Sequence, residues 1–322
     1  MNPNQQQPQA AQQIPHEREL GPALPMPMPM VVTLVFCLAL LGGALWFGGG
    51  LPALPDTANQ TASVAQSIID VPIQARAAIV YDAKTQRVLF AKNVNAQLPL
   101  ASLTKVMLSL VAVETLQSDA YVQITPEALS AEGDTGLRVG ENWALQDLID
   151  ATLIPSSNDG AQALAFATGN GDMAPAVSAM NKRARELAMT QTYFLNPTGL
   201  DESPTMAGAF GSARDYAKLL SYIIERQPTV LDGTTRDGML LASEGGTPIT
   251  AVNTNEALGQ IPGLIGGKTG LTDLAGGNLA VAFDADLGHP IIIVVLGSTQ
   301  EGRFDDVRVL VRSAREALTP AL

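Results

Sequence analysis

Three short stretches of this chain carry residue types that can do chemistry together. The first is Ser102-Leu103-Thr104-Lys105. On a helix, positions three apart lie on one face, one turn from each other. The residues that follow, Val106 to Val113, are apolar apart from Ser109, and Lys105 is the only charged residue between Asn93 and Val113. A helix apolar on every face belongs in a core. A lysine held there loses its tendency to ionise and can accept a proton. A serine at the helix N-terminus has a backbone N–H beside it to stabilise an oxyanion. Ser102 and Lys105 therefore have the makings of a nucleophile and a base that need no histidine. Taken alone, the same residues also describe a lysine reaching the surface beside an incidental serine.

The second stretch is Ser156-Ser157-Asn158-Asp159, after Pro155 and before the small-residue run Ala161 to Ala167 that stops at Gly169. By itself it reads as a helix cap, since Ser, Asn and Asp are favoured there. The third is Gly266-Gly267-Lys268-Thr269-Gly270. A phosphate loop is excluded, because that spacing needs glycine where Pro262 stands. Either this is a glycine-rich turn with a solvated lysine, or Gly267 and Gly270 let the backbone approach a ligand closely.

The elements that must position these residues can be read from periodicity. Ala77–Asp82 and 87–93 alternate as two strands around a turn at 83–86. Leu145, Leu148, Ile149, Thr152 and Leu153 recur at helical spacing. Residues 278–283 and 291–296 read as strands joined through Gly288-His289-Pro290, with the Lys268 stretch on a strand just before them. Val307, Leu310, Val311, Ala314 and Leu318 share one face of a last helix. Strands come first and last with helices between. This order predicts an α+β domain whose antiparallel sheet unites both chain ends, flanked by helices and a mostly helical subdomain.

Composition narrows the function. The chain has 322 residues with 19 Lys+Arg against 31 Asp+Glu, a net charge of −12, which speaks against a nucleic-acid partner. One cysteine, Cys37, and two histidines, His16 and His289, cannot assemble a usual metal site, and no cofactor is implied. Residues 1–30 form a Gln/Pro/Met-rich tail, expected to be disordered. Residues 31–51 are apolar or glycine apart from Thr33, which is long enough to span a bilayer as a transmembrane anchor. A cleaved signal peptide fits less well: the start is not basic, and Leu45-Trp46-Phe47 interrupts a small-residue cleavage pattern. Arg18 stands on one flank and the other flank has no basic residue until Arg76, which favours a domain on the outer side. Residues 52–72 read as a linker and 73–322 as the catalytic domain.

Ser-x-x-Lys, Ser-x-Asn and Lys-Thr-Gly follow in this order at 102, 156 and 268. Together with Phe194-Leu195-Asn196-Pro197-Thr198-Gly199-Leu200 and Ser212-Ala213-Arg214-Asp215, the set resembles the penicillin-recognising serine enzymes. Within them it is most similar to the low-molecular-mass D-alanyl-D-alanine carboxypeptidases, peptidase family S11. The resemblance implies a β-lactamase/transpeptidase-like fold and roles for eight residues. Ser102 would attack the bond between two D-alanines, Lys105 would take its proton, and Ser156 would relay a proton to the leaving D-alanine. Asn158 would orient Lys105 and the substrate amide. Lys268 and Thr269 would hold the terminal carboxylate, with Lys268 keeping the site electropositive and Gly270 beside them in the substrate-binding set. The N–H groups of Ser102 and Leu271 would form the oxyanion hole. Ser157 would do no chemistry. Lys105 is expected to have a depressed pKa, from desolvation first and Lys268 second.

The implied partners are peptidoglycan pentapeptides, β-lactams and, through the N-terminal helix, a bacterial cell membrane with the catalytic domain on the extracytoplasmic side. The same motifs also fit three alternatives: a class A-like β-lactamase, a D,D-endopeptidase and a non-catalytic penicillin or peptidoglycan receptor. Fast deacylation in class A needs a glutamate with a nearby asparagine, and Glu186-Leu187-Ala188-Met189-Thr190 lacks that asparagine.

Overall fold

The computed structural model describes residues 71–133, 135–246 and 248–318. The tail at 1–30, the apolar span at 31–51 and all but the last two residues of the linker lie outside them. Among the described residues no helix is long and apolar enough to cross a membrane.

Five strands form the central sheet: β1 (Ala77–Asp82), β2 (Arg87–Lys92), β3 (Leu264–Thr272), β4 (Gly276–Asp284) and β5 (Pro290–Ser298). Their order is β3-β4-β5-β1-β2, with every neighbouring pair antiparallel. Val80 lies opposite Ile293, so the first and last strands of the domain meet in the middle of the sheet. This is the predicted α+β arrangement. The last hairpin is longer than periodicity suggested, because its ends carry glycines and Pro290 rather than apolar residues.

Successive residues of a strand face opposite sides of a sheet. Here both sides are covered, which explains the unbroken apolar run 291–296. Ile79, Ala280, Ala282, Ile292 and Val294 face one core. Val80, Leu279, Val281, Phe283, Ile291 and Ile293 face another. The second core is closed by α6 (Gly302–Leu318), through Phe304, Val307, Leu310, Val311 and Ala314. The first is closed by the helices between the strands: α1 (Thr104–Thr115), α2 (Leu145–Leu153), α3 (Asn158–Thr168), α4 (Met173–Glu186) and α5 (Ala213–Arg226). α1 is buried on every side from Thr104 to Ala112, as its composition required. Ser157, Asp172 and Ser212 cap α3, α4 and α5 by accepting N–H groups of the first turn.

Candidate active site

Ser102 sits in a single 3-10 turn, Ala101–Leu103, that runs directly into α1. The turn is fastened on several sides. Asn278 Nδ2 donates to Pro99 O at 3.0 Å and Leu100 O at 3.1 Å. Thr104 Oγ1 donates to Ala101 O at 2.7 Å, and the buried Tyr216 hydroxyl donates to Leu103 O. Ala101 has φ +49°, a left-handed conformation that a residue with a Cβ adopts only when its surroundings dictate it.

Lys105 is wholly buried. Its Nζ lies 2.7 Å from Ser102 Oγ, 2.8 Å from Asn158 Oδ1 and 3.0 Å from Thr198 O. All three partners are neutral oxygens, so nothing offsets the cost of burying the charge, and burial pushes the amine down to about 7. At neutral pH a good share of it is free amine, able to accept the Ser102 hydroxyl proton at hydrogen-bond distance.

Ser156 also has a left-handed backbone, φ +65°. This geometry separates two adjacent serines. Ser156 Oγ accepts from Lys268 Nζ at 2.8 Å, whereas Ser157 Oγ accepts from Gly160 N at 2.9 Å and meets Thr135 Oγ1 at 2.7 Å. Ser157 is the cap and Ser156 the residue in the cleft. Asn158, the first residue of α3, gives its oxygen to Lys105 and donates Nδ2 to Glu132 O at 2.7 Å. One amide proton of Asn158 is thus already engaged by the chain.

Lys268 and Thr269 lie on β3 and are buried. Lys268 Nζ also donates to Thr269 O at 3.0 Å, and Thr269 Oγ1 meets Thr254 Oγ1 at 2.6 Å. Burial first, then the charges of Lys105 and Arg303, hold Lys268 well below the usual lysine range. Burial depresses Lys105, as expected, and the two lysines disfavour one another's charge.

Gly270 is also explained differently from expectation. A Cβ there would stand 2.9 Å from Leu100 O and 3.2 Å from Ala101 Cβ, so the glycine lets β3 approach the Ser102 turn rather than a ligand. Gly267 likewise abuts Val281 and Ala280 O of β4. Leu271 is 43% exposed on the edge strand of the sheet.

The structure therefore gathers the predicted residues into two bonded groups, Lys105 with Ser102 and Asn158, and Lys268 with Ser156 and Thr269, close enough for the two lysines to repel one another. Sequence reasoning missed the Thr198 and Glu132 carbonyls, Asn278, Thr254 and Arg303. Thr198 lay within the quoted Asn-Pro-Thr-Gly run, but a backbone acceptor leaves no side-chain signal. A cavity of about 620 Å³ lined by Leu116, Tyr121 and Phe166 lies at the far end of α1 and touches none of the cluster. Among the described residues no group of His, Cys, Asp or Glu could hold a metal ion.

Residues 60–300 match the family model described as D-alanyl-D-alanine carboxypeptidase, Peptidase S11. The chain belongs to that family. This D,D-carboxypeptidase, a serine-type hydrolase, is 32% identical over 225 residues to the D-alanyl-D-alanine carboxypeptidase DacB2 of Mycobacterium tuberculosis, covering 70% of this chain and 75% of that protein. It is 27% identical over 277 residues to a D-alanyl-D-alanine endopeptidase of Escherichia coli, covering 84% and 83%. Its fold is similar to that of penicillin-binding protein D2 from Listeria monocytogenes in its ampicillin-bound form, with a TM-score of 0.65 and 30% identity over 76% of this chain and 98% of that one.

Proposed function

We propose that this D,D-carboxypeptidase removes the terminal D-alanine of peptidoglycan stem peptides through an acyl-enzyme on Ser102. The observation that carries the reading is the wholly buried Lys105 amine, 2.7 Å from Ser102 Oγ and without an ion-pair partner among the described residues. As free amine, Lys105 takes the Ser102 proton while Oγ bonds to the penultimate D-alanine carbonyl. The oxyanion that forms is held by the N–H groups of Ser102 and Leu271. Collapse breaks the peptide bond, and the leaving nitrogen takes a proton through Ser156 Oγ, which Lys268 faces at 2.8 Å. Lys268 and Thr269 receive the substrate carboxylate, which favours the charged form of Lys268. Water then attacks the ester on Ser102 and regenerates the hydroxyl.

β-Lactams acylate the same serine in this reading, as the ampicillin-bound relative suggests. A β-lactamase is disfavoured by Glu186, which lies at the end of α4 in ion pairs with Arg183 at 3.0 Å and Lys182 at 3.7 Å. The apolar span at 31–51 anchors the enzyme in the bacterial cell membrane, with the catalytic domain on the extracytoplasmic side.

The test is exposure of the full chain to benzylpenicillin with the adduct mapped by mass spectrometry, alongside D-alanine release from a pentapeptide and from a cross-linked peptide. The expected results are one adduct on Ser102, D-alanine release from the pentapeptide, and loss of both in Ser102→Ala. An adduct that persists in Ser102→Ala would falsify the assignment. Cleavage of the cross-linked peptide alone would make the enzyme an endopeptidase.

A further inference from the structure

Arg303 lies in the first turn of α6, 6% exposed, and its Nη1 donates to Gly270 O at 2.8 Å. Its guanidinium stands 4.6 Å over the Phe304 ring. Its Nε is buried without a partner among the described residues. Taking a guanidinium out of water is costly, and a neutral donor would tie a helix to a strand as well. The use of a charge therefore calls for a reason.

The path of the side chain supplies one. Arg303 passes Gly277, where a Cβ would stand 3.2 Å from Arg303 Cδ and 2.0 Å from Thr299 O, so no other residue leaves room for it there. Gly277 is the β4 residue across from Leu271. Arg303 thus reaches β3 from the β4 side. β3 is an edge strand with β4 as its partner, so its other side is unpaired within the sheet. A peptide unit is planar, and its C=O and N–H point in opposite directions. Holding Gly270 O from the β4 side therefore turns the Leu271 N–H to the free edge, at the point where β3 meets the Ser102 turn.

We propose that Arg303 is a positioning residue for the oxyanion-binding N–H of Leu271, acting through the Gly270–Leu271 peptide. The proposal rests on the acyl-enzyme reading above. The charged donor fixes the plane of this peptide and draws electron density toward Gly270 O, which makes the Leu271 N–H a stronger donor. Hydrogen bonds in series strengthen one another by about 10–30% per bond, and the loss of one oxyanion donor costs on the order of 10²–10³ in rate. Loosening and weakening that donor without removing it should cost roughly tenfold.

The experiment compares full-length wild type with Arg303→Met and Arg303→Lys. It reads the Ser102 acylation rate at saturating benzylpenicillin, KM for a pentapeptide, affinity for a peptide boronic acid, and the melting temperature. A boronate adduct on Ser102 places an oxygen where the oxyanion forms, so it reports the Leu271 donor directly. Arg303→Met is expected to slow acylation and weaken boronate binding roughly tenfold each, with KM changed by less than about twofold. Arg303→Lys, which keeps a charged donor, recovers most of both. If Arg303→Met does not fold, Arg303→Gln takes its place, with a smaller loss in the same two readings. Acylation unchanged in the folded variant overturns the proposal. So does a loss confined to KM, which would place Arg303 on the substrate carboxylate, or a Lys variant no better than the Met one. Failure of wild type to form a Ser102 adduct would sink the acyl-enzyme reading instead.

Discussion

The two ends of the central sheet treat charge in opposite ways. At one end, the first residue before β5, His289, places Nε2 2.9 Å from Asp82 Oδ2. Asp82 also accepts the N–H groups of Lys84 and Thr85. Burial alone would raise that carboxyl, but the bonds from Thr85 and the contact with His289 outweigh it and hold it below the usual range. At the other end, Lys105 and Lys268 are buried as well and bond to hydroxyl, amide and carbonyl oxygens. A carboxylate held beside Lys105 would stabilise its charged form and remove the free amine that the proposed mechanism uses as a base. The paired end ties the turn before β5 to the turn after β1. The unpaired end spends stability to keep a proton transferable near neutral pH.

The largest effect that separates these ends is at the two adjacent serines. Ser156→Ala removes the hydroxyl that faces Lys268, and turnover is expected to fall on the order of 10²–10⁴ with a nearly unchanged melting temperature. Equal losses in Ser156→Ala and Ser157→Ala, measured side by side, would mean that the cleft is not served by Ser156 alone.

A smaller effect is the pH profile. In the proposed mechanism the base is the free amine of Lys105, so activity should fall about tenfold per unit as pH drops below about 7. That limb belongs to the two coupled lysines. His289→Gln should leave it in place; a profile that loses the limb in this variant would refute the lysine base. Stability follows the same lysine. Its folded pKa lies below the unfolded value of about 10.4, so the unfolded chain binds more protons between about 7 and 10.4, and stability should rise with pH across that window. Thermal melting from pH 7 to 10 checks the sign, and Lys105→Met should flatten the slope.

The smallest effect is Ser157→Ala. It removes a cap and a bond to Thr135, which should cost about 0.5–2 kcal/mol of stability and leave turnover intact. Denaturant melts and peptide turnover on the same preparation measure both.

Much of the cluster could be read before the fold was known, because its first pair is local. Ser102 and Lys105 are three residues apart, and an apolar stretch announces burial. The register of Ser156, Ser157 and Asn158 followed from the motif, and the left-handed backbone at Ser156 is what realises it. Arg303 could not be read this way. It lies 33 residues from Gly270 and looks like one more arginine on an amphipathic helix. Asn278 was hidden in a strand for the same reason: it acts across 178 residues on Leu100 O.

The amino-acid sequence by itself determined the elements, the union of both ends of the domain in one sheet, and the three motifs. These rest on periodicities of two and 3.6 residues and on short spacings, which any reader of the chain can count. Only the tertiary structure decided which serine meets which lysine and how each lysine ionises. The bonds that set this span 53, 93 and 112 residues. Their lengths, and the dry surroundings that depress both amines, are properties of side chains packed from separate elements, and no local pattern encodes them.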